Sequence, residues 1–335
     1  MSQLIPSNDH LKNKLNKNIK IKLYSRGKLK LYLYTINFIF GEEALCKMEM
    51  KCLFKKVPKV KHFFSYHYVD PSRSPFIKLC THVLYTGVST DDISRKTADD
   101  NLFYEKYKVC YFDHDNGTIG FHEKRKIEYS IGYNILGEAE MKHPKMLLGV
   151  LNLNGKWILG ETKINSSIWK SHIHKPYSYS NALSCRVSRA LVNIAVANNL
   201  KCSVVDPCCG IGTVVIEALS MGLDIKGYEI NPLIAENSKI NVDFFGYKDV
   251  ITAGDMHSIN EKFDVAIVDL PYGLFSNATL KEQIDIMKTA RKIAKKMVII
   301  TFEDMDKHII SSGFHIASKC NVFKSKFKRY ITICE

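Results

Sequence analysis

The amino-acid sequence predicts an α/β protein. Its C-terminal part is a doubly wound, mostly parallel sheet with helices on both faces, and an α+β region precedes it. Three observations lead there. From Lys201 onward, short apolar runs alternate with helical periodicity, the pattern of parallel strands joined by crossover helices. Before Lys201, aromatic and β-branched runs of strand type dominate. The charge divides at the same place. Residues 1–200 hold 31 Lys and Arg against 17 Asp and Glu, residues 201–335 hold 17 of each, and the whole excess of +14 lies in the first part.

A chain of 335 residues is long enough for two domains. With 46% apolar and 24% charged residues, a disordered or fibrous protein is excluded. The greasiest stretches, residues 31–40 and 296–302, are too short to span a bilayer. Residues 1–22 lack the apolar core of a secretory signal, so no membrane partner and a cytoplasmic location are expected. The ten cysteines form no C-x-x-C pair and read as reduced thiols. A basic region beside a neutral one suits docking of a polyanion, although solubility explains the same charge equally well.

Along the first part, residues 1–27 form a basic arm rich in Lys and Asn. An α+β region spans 28–165. Residues 28–40 (KLKLYLYTINFIF) alternate as a strand, and Ala44, Leu45, Met48 and Leu53 recur at helical spacing within 42–54. Further strands are predicted at 60–69, 106–112 and 118–121, the last two flanking the turn Asp115-Asn116-Gly117. That turn is no calcium loop, because the twelfth position counted from Asp113 is Lys124. Residues 147–162 carry a hairpin around Asn154-Gly155. Residues 166–180 read as a connection, and 181–335 as the second domain.

The second domain opens with a helix at 182–197, whose Leu183, Val187, Ala190, Leu191 and Ile194 share a face. Strands are predicted at 203–206, 224–229, 250–254, 263–269 and 297–302, and helices at 212–221, 232–245 and 280–296. Strands at 313–319 and 326–334 close the sheet.

Four strand ends carry chemistry. Asp206-Pro207-Cys208-Cys209-Gly210-Ile211-Gly212-Thr213 follows the first strand, where glycines permit a tight turn and a close approach to a ligand. Glu229 ends the second strand, where an acid accepts hydrogen bonds from ribose hydroxyls. Asp255, followed by Met256, ends the third, within reach of an adenine edge. Asp269-Leu270-Pro271-Tyr272-Gly273 ends the fourth. Ligands of open α/β sheets bind outside the carboxyl ends of the strands, and all four elements lie there. The third glycine of a dinucleotide fingerprint and the lysine of a phosphate-binding loop are missing.

These residues resemble S-adenosylmethionine-dependent methyltransferases of the Rossmann-like class. The D-P-x-C-G-x-G-T loop together with D-x-P-Y-G resembles, more narrowly, the RNA guanosine-N2 methyltransferases that carry THUMP-type RNA-binding domains. The resemblance is specific over residues 175–335 and loose over 31–164, where it implies a THUMP-like RNA-binding region. It implies S-adenosyl-L-methionine as cofactor, held by Asp206, Cys208, Gly210, Gly212, Thr213, Glu229, Asp255, Met256 and Asp269. It also implies transfer by Asp269, Leu270, Pro271 and Tyr272 to the N2 amine of a guanosine, with tRNA as partner and no metal. A DNA or rRNA amino-methyltransferase, or a non-catalytic RNA-binding protein on the same fold, are the alternatives. Two positions depart from the family: Ile211 replaces Ser, and Leu270 replaces the Pro found in many amino-methyltransferases.

The D-x-P-Y chemistry also stands on its own. An exocyclic base amine is a poor nucleophile, because its lone pair is delocalised into the ring. The Asp269 carboxylate and the Leu270 carbonyl would accept its two N–H bonds and favour a pyramidal nitrogen. Pro271 would fix the loop, and Tyr272 would stack on the base, a contact worth roughly 1–3 kcal/mol. A base in a duplex must first be extruded. His172-Ile173-His174 reads as a polar loop contacting phosphate rather than a metal site. Cys208 and Cys209 read as packing around the cofactor, and residues 324–330 (KSKFKRY) as a basic rim or a solvated edge strand.

Overall fold

Period-two patterns build the first sheet of the computed structural model, which describes residues 29–114, 117–180, 182–271, 278–324 and 327–335. Its elements are β1 (Tyr32–Ile36), α1 (Glu43–Phe54), β2 (His62–Ser65), β3 (Ile77–Gly87), α2 (Thr90–Asp99), β4 (Phe103–Tyr111), α3 (Phe121–Gly132), β5 (Leu136–Ala139), β6 (Met146–Leu153) and β7 (Lys156–Ile164). The strand order is β2-β1-β3-β7-β6-β4-β5. Asn154 and Gly155, at φ 52° and 87°, make the β6–β7 turn that the hairpin reading expects.

The strand expected at 118–121 is absent. Residues 117–120 have no regular structure, and α3 begins at Phe121. β4 pairs in parallel with β5 and β6, so the chain leaves it through a crossover helix, not a hairpin. The signal was Ile127 and Ile131, four apart and buried against Val109 and Leu148. Residues 115 and 116 of the expected turn lie outside the described residues. Lys124 forms an ion pair with Asp113.

The second sheet follows α4 (Cys185–Val196). It comprises β8 (Val204–Asp206), α5 (Thr213–Leu219), β9 (Ile225–Glu229), α6 (Pro232–Phe244), β10 (Ile251–Ala253), β11 (Phe263–Asp269), α7 (Leu280–Ile293), β12 (Ala294–Thr301), α8 (Asp306–Ser311), β13 (Ile316–Lys324) and β14 (Phe327–Cys334). The order β10-β9-β8-β11-β12-β14-β13 has five parallel strands and an antiparallel closing pair. Alternation along β11 and β12 assigns each side chain to a layer. Val265, Ile267, Val298 and Ile300 pack with α4 and α5, while Ala266, Val268, Met297 and Ile299 pack with α7 and α8. β12 starts at Ala294, earlier than periodicity predicts. Lys296 on it spans to α4 and donates to the Ile194 and Ala195 carbonyls at 3.0 and 2.8 Å, a cation at a helix C-terminus.

Leu31–Glu335 is one compact unit. Leu45, Met50 and Leu53 of α1 share a single core with Leu191 and Ile194 of α4. A buried polar network lies in the same seam. Arg189 of α4 reaches Glu217 of α5 and the Ser72 and Arg73 carbonyls, and Asn193 reaches Glu49 of α1 at 2.7 Å. His172, expected in a phosphate-contacting loop, is instead 2% exposed and 2.8 Å from Glu217. No helix of the described residues is long and apolar enough to cross a membrane.

Candidate active site

Strand order reverses at β8, whose neighbours are β9 on one side and β11 on the other. A crevice opens at such a point. Here it is a cavity of about 580 Å³. Its wall includes Asp206, Cys208, Gly210, Thr213, Glu229, Asp255, Met256, Asp269, Leu270 and Pro271. Gly212 stands outside the wall. It turns the loop at φ 78°, pressed against Ser238 so closely that any side chain would collide. Tyr272 lies outside the described residues.

The glycine loop is fixed by backbone hydrogen bonds, to β9 and within itself. Cys209 N–H donates to Tyr228 O at 2.8 Å, and Gly212 N–H to Cys209 O at 2.9 Å. Gly210, at φ 51°, has open space where a Cβ would stand, which leaves its backbone approachable. Glu229 is more than a strand-end acid. Its carboxylate accepts from Gly210 N–H at 3.0 Å and from Asn231 N–H at 2.9 Å, joining the glycine loop to the start of α6. Asp255 is exposed and caps a short 3-10 turn by accepting from His257 N–H. Met256 is buried, its sulfur 3.8 Å from the Cys208 thiol.

Burial dominates the electrostatics. Asp206 is 3% exposed, and burial pushes its carboxyl well above the usual range, with the Asp269 and Glu229 charges adding to the effect. Burial also raises Asp269 to about 6, against the opposing pull of the Arg329 guanidinium. The Asp269 Oδ1 atom is buried and accepts no hydrogen bond from the described residues. Burial raises both loop thiols too, so Cys208 and Cys209 are poor nucleophiles.

The wall tests which ligand fits. Five acids line it (Asp206, Glu229, Asp255, Asp269 and Glu282), and no Lys or Arg does among the described residues. Such a wall repels phosphates and suits a cationic sulfonium and an ammonium group. Apolar Leu183, Ile230, Ile234 and Met256 offer surface for a flat base. The residues present fit S-adenosyl-L-methionine.

Sequence reading missed several participants. Tyr179, Ala182 and Leu183 line the cavity from the preceding segment. Asn241 of α6 ties that segment to the glycine loop. It accepts from Tyr177 N–H at 2.8 Å and donates to Tyr177 O at 3.0 Å and Ile211 O at 2.9 Å. A lone Asn in a helix gave no signal beyond its low helix propensity. Arg329, expected on a basic rim or a solvated edge strand, is instead 5% exposed on an interior strand, stacked 4.9 Å from the Phe302 ring centre.

Comparison with known proteins bears on the same region. Residues 174–308 match the RMKL-like methyltransferase-domain family. A stretch of 105 residues is 37% identical to the tRNA (guanine(10)-N2)-dimethyltransferase of Pyrococcus abyssi, covering 30% of this chain and 31% of that protein. A longer match of 231 residues, 26% identical, pairs 62% of the chain with 67% of the enzyme of the same name from Methanothermobacter thermautotrophicus. The chain thus spans less than a third of the first relative's length and about two thirds of the second's. TrmN from Thermus thermophilus superposes over 91% of this chain and 99% of its own, at a TM-score of 0.47 and 14% identity. The matched stretch 174–308 contains every described residue of the cavity wall, so the likeness to RMKL-like methyltransferase domains falls on the site itself.

Proposed function

We propose that this protein transfers a methyl group from S-adenosyl-L-methionine to the exocyclic N2 amine of a guanosine in tRNA. One observation carries the reading: the buried Oδ1 of Asp269, without a hydrogen-bond partner among the described residues, at the carboxyl end of β11 and in the same cavity as Glu229 and the glycine loop. An unsatisfied buried carboxylate oxygen is costly to keep, and a target amine would satisfy it. The bound cofactor supplies an electrophilic methyl. Glu229 and Asp255 hold the ribose and adenine ends, and Gly210 leaves room for close backbone approach. Asp206, Cys208, Thr213 and Met256 complete the wall around the cofactor.

Asp269 and the Leu270 carbonyl accept the amine's N–H bonds and raise electron density on nitrogen, with Pro271 fixing the loop and Tyr272 stacking on the base. Within this reading, residues 28–165 form the THUMP-like docking region and 1–27 a basic arm, joined through 166–180 to the transferase domain 181–335. The chain works in the cytoplasm. The names of the two relatives support guanine N2 as target.

Nucleoside mass spectrometry of tRNA from cells with and without the gene tests this. N2-methylated guanosine is expected to disappear on deletion. Loss of a methylated adenine or cytosine instead, or no loss at all, would overturn the reading.

A further inference from the structure

The loop after β11 is held at two points. Leu270 N–H donates to Ile300 O at 3.0 Å, which ties the loop's first residue to the sheet. Pro271 has no N–H to give. Its carbonyl accepts from Gln283 Nε2 at 2.8 Å. The two bonds flank the Leu270–Pro271 peptide, whose carbonyl is the second acceptor for the target amine.

Gln283 is itself well anchored. It lies in the first turn of α7, its N–H bonded to Thr279 O at 3.0 Å. Thr279 and Glu282 close a reciprocal capping box there. The start of the helix is therefore fixed without the Gln283 side chain, which is left to hold the loop. Gln283 is half-buried and stands behind the cavity wall, whereas Glu282 and Ile286 of the same helix are in it.

We propose that Gln283 is a positioning residue for methyl transfer. By holding the Pro271 carbonyl, it sets the direction in which the Leu270 carbonyl and the Asp269 carboxylate meet the amine. The proposal rests on the functional reading above. Without the bond, the Leu270–Pro271 peptide keeps, among the described residues, the Leu270 N–H tether to Ile300 O. Small misplacements of reacting groups are expensive in rate.

The full chain with Gln283→Met, which keeps length and loses the donor, tests it alongside Gln283→Glu, which keeps shape and cannot donate when ionised. Single-turnover methyl transfer should slow about tenfold in both. Cofactor affinity and melting temperature should stay at wild-type values, since the Gln283 side chain lines neither the cavity nor the core. Hydrogen exchange at the Leu270 amide should quicken. An unchanged rate, an unchanged Leu270 exchange, or a rate loss that tracks a fall in melting temperature would each overturn the proposal. If the wild-type protein methylates no RNA, the functional reading fails, and the exchange measurement alone decides whether Gln283 holds the loop.

Discussion

At Asp269, burial and charge act in opposite directions. Burial raises the carboxyl to about 6, and the Arg329 guanidinium resists that rise. In the proposed reading the ionised form is the acceptor for the amine, so the transfer rate should climb with pH through about 6 and level off above it. Arg329→Met removes the resisting charge and should move that climb to higher pH. A single-turnover pH profile that stays in place would show that Arg329 does not act on Asp269. Asp269→Asn keeps one acceptor and loses the charge, while Asp269→Ala loses both. Rates should fall in that order, with alanine about a hundredfold or more below wild type, because the interaction strengthens as the nitrogen gains positive charge. Near-wild-type methylation by the alanine variant would place the amine elsewhere.

Two elements meet at Glu229, the glycine loop and the N-terminus of α6. Glu229→Ala removes the acceptor for Gly210 N–H and Asn231 N–H and, in the proposed reading, for the cofactor's hydroxyls. Cofactor binding should weaken by roughly 1–3 kcal/mol, the range for bonds to a charged group. Unchanged affinity in calorimetry would remove Glu229 from the site.

The seam between α1 and α4 offers a second test on the same scale. Glu49 is fully buried there, bonded to Ser74 and Asn193, and burial raises its carboxyl to about 7 from an ordinary 4.5. The folded state therefore holds this proton more tightly than the unfolded chain does. The stability this adds is fully present below 4.5 and is lost as pH rises through about 7, a change of up to roughly 3 kcal/mol. Urea unfolding should show stability falling between about pH 5 and 8, and Glu49→Gln should flatten the slope. An unaltered slope would assign the titration to other groups, of which Asp206 is the first candidate, since its carboxyl is also raised.

For the whole molecule, charge is divided by task. The cavity wall is acidic, while the excess of +14 lies within residues 1–200. In the proposed reading, an acidic cavity admits an extruded neutral base but repels the phosphate backbone, which basic surface elsewhere would hold. RNA affinity of the full chain should therefore fall steeply with salt, because each neutralised phosphate releases counterions. Cofactor affinity, set inside the cavity, should change far less. Filter binding that shows little salt dependence would remove the basic region from RNA docking.

What the sequence determined by itself was the second sheet and which strand ends line one cavity. Alternating apolar runs fix chain direction, and direction puts Asp206, Glu229, Asp255 and Asp269 at one edge without reference to distant contacts. Local order also settled the Asn154-Gly155 hairpin. Only the tertiary structure decided what depends on residues far apart in the chain. It turned Arg329 from rim to buried partner, made Asn241 the tie between Tyr177 and Ile211, and buried His172 against Glu217. It also replaced a predicted hairpin with the helix α3, whose two buried isoleucines were the sole periodic signal in a charged stretch. The physical reason is the same throughout. A strand or a turn is set by neighbours in sequence, whereas the cost of burying a charge is settled by whichever partner the fold brings to it, as Asn193 comes to Glu49 from 144 residues away.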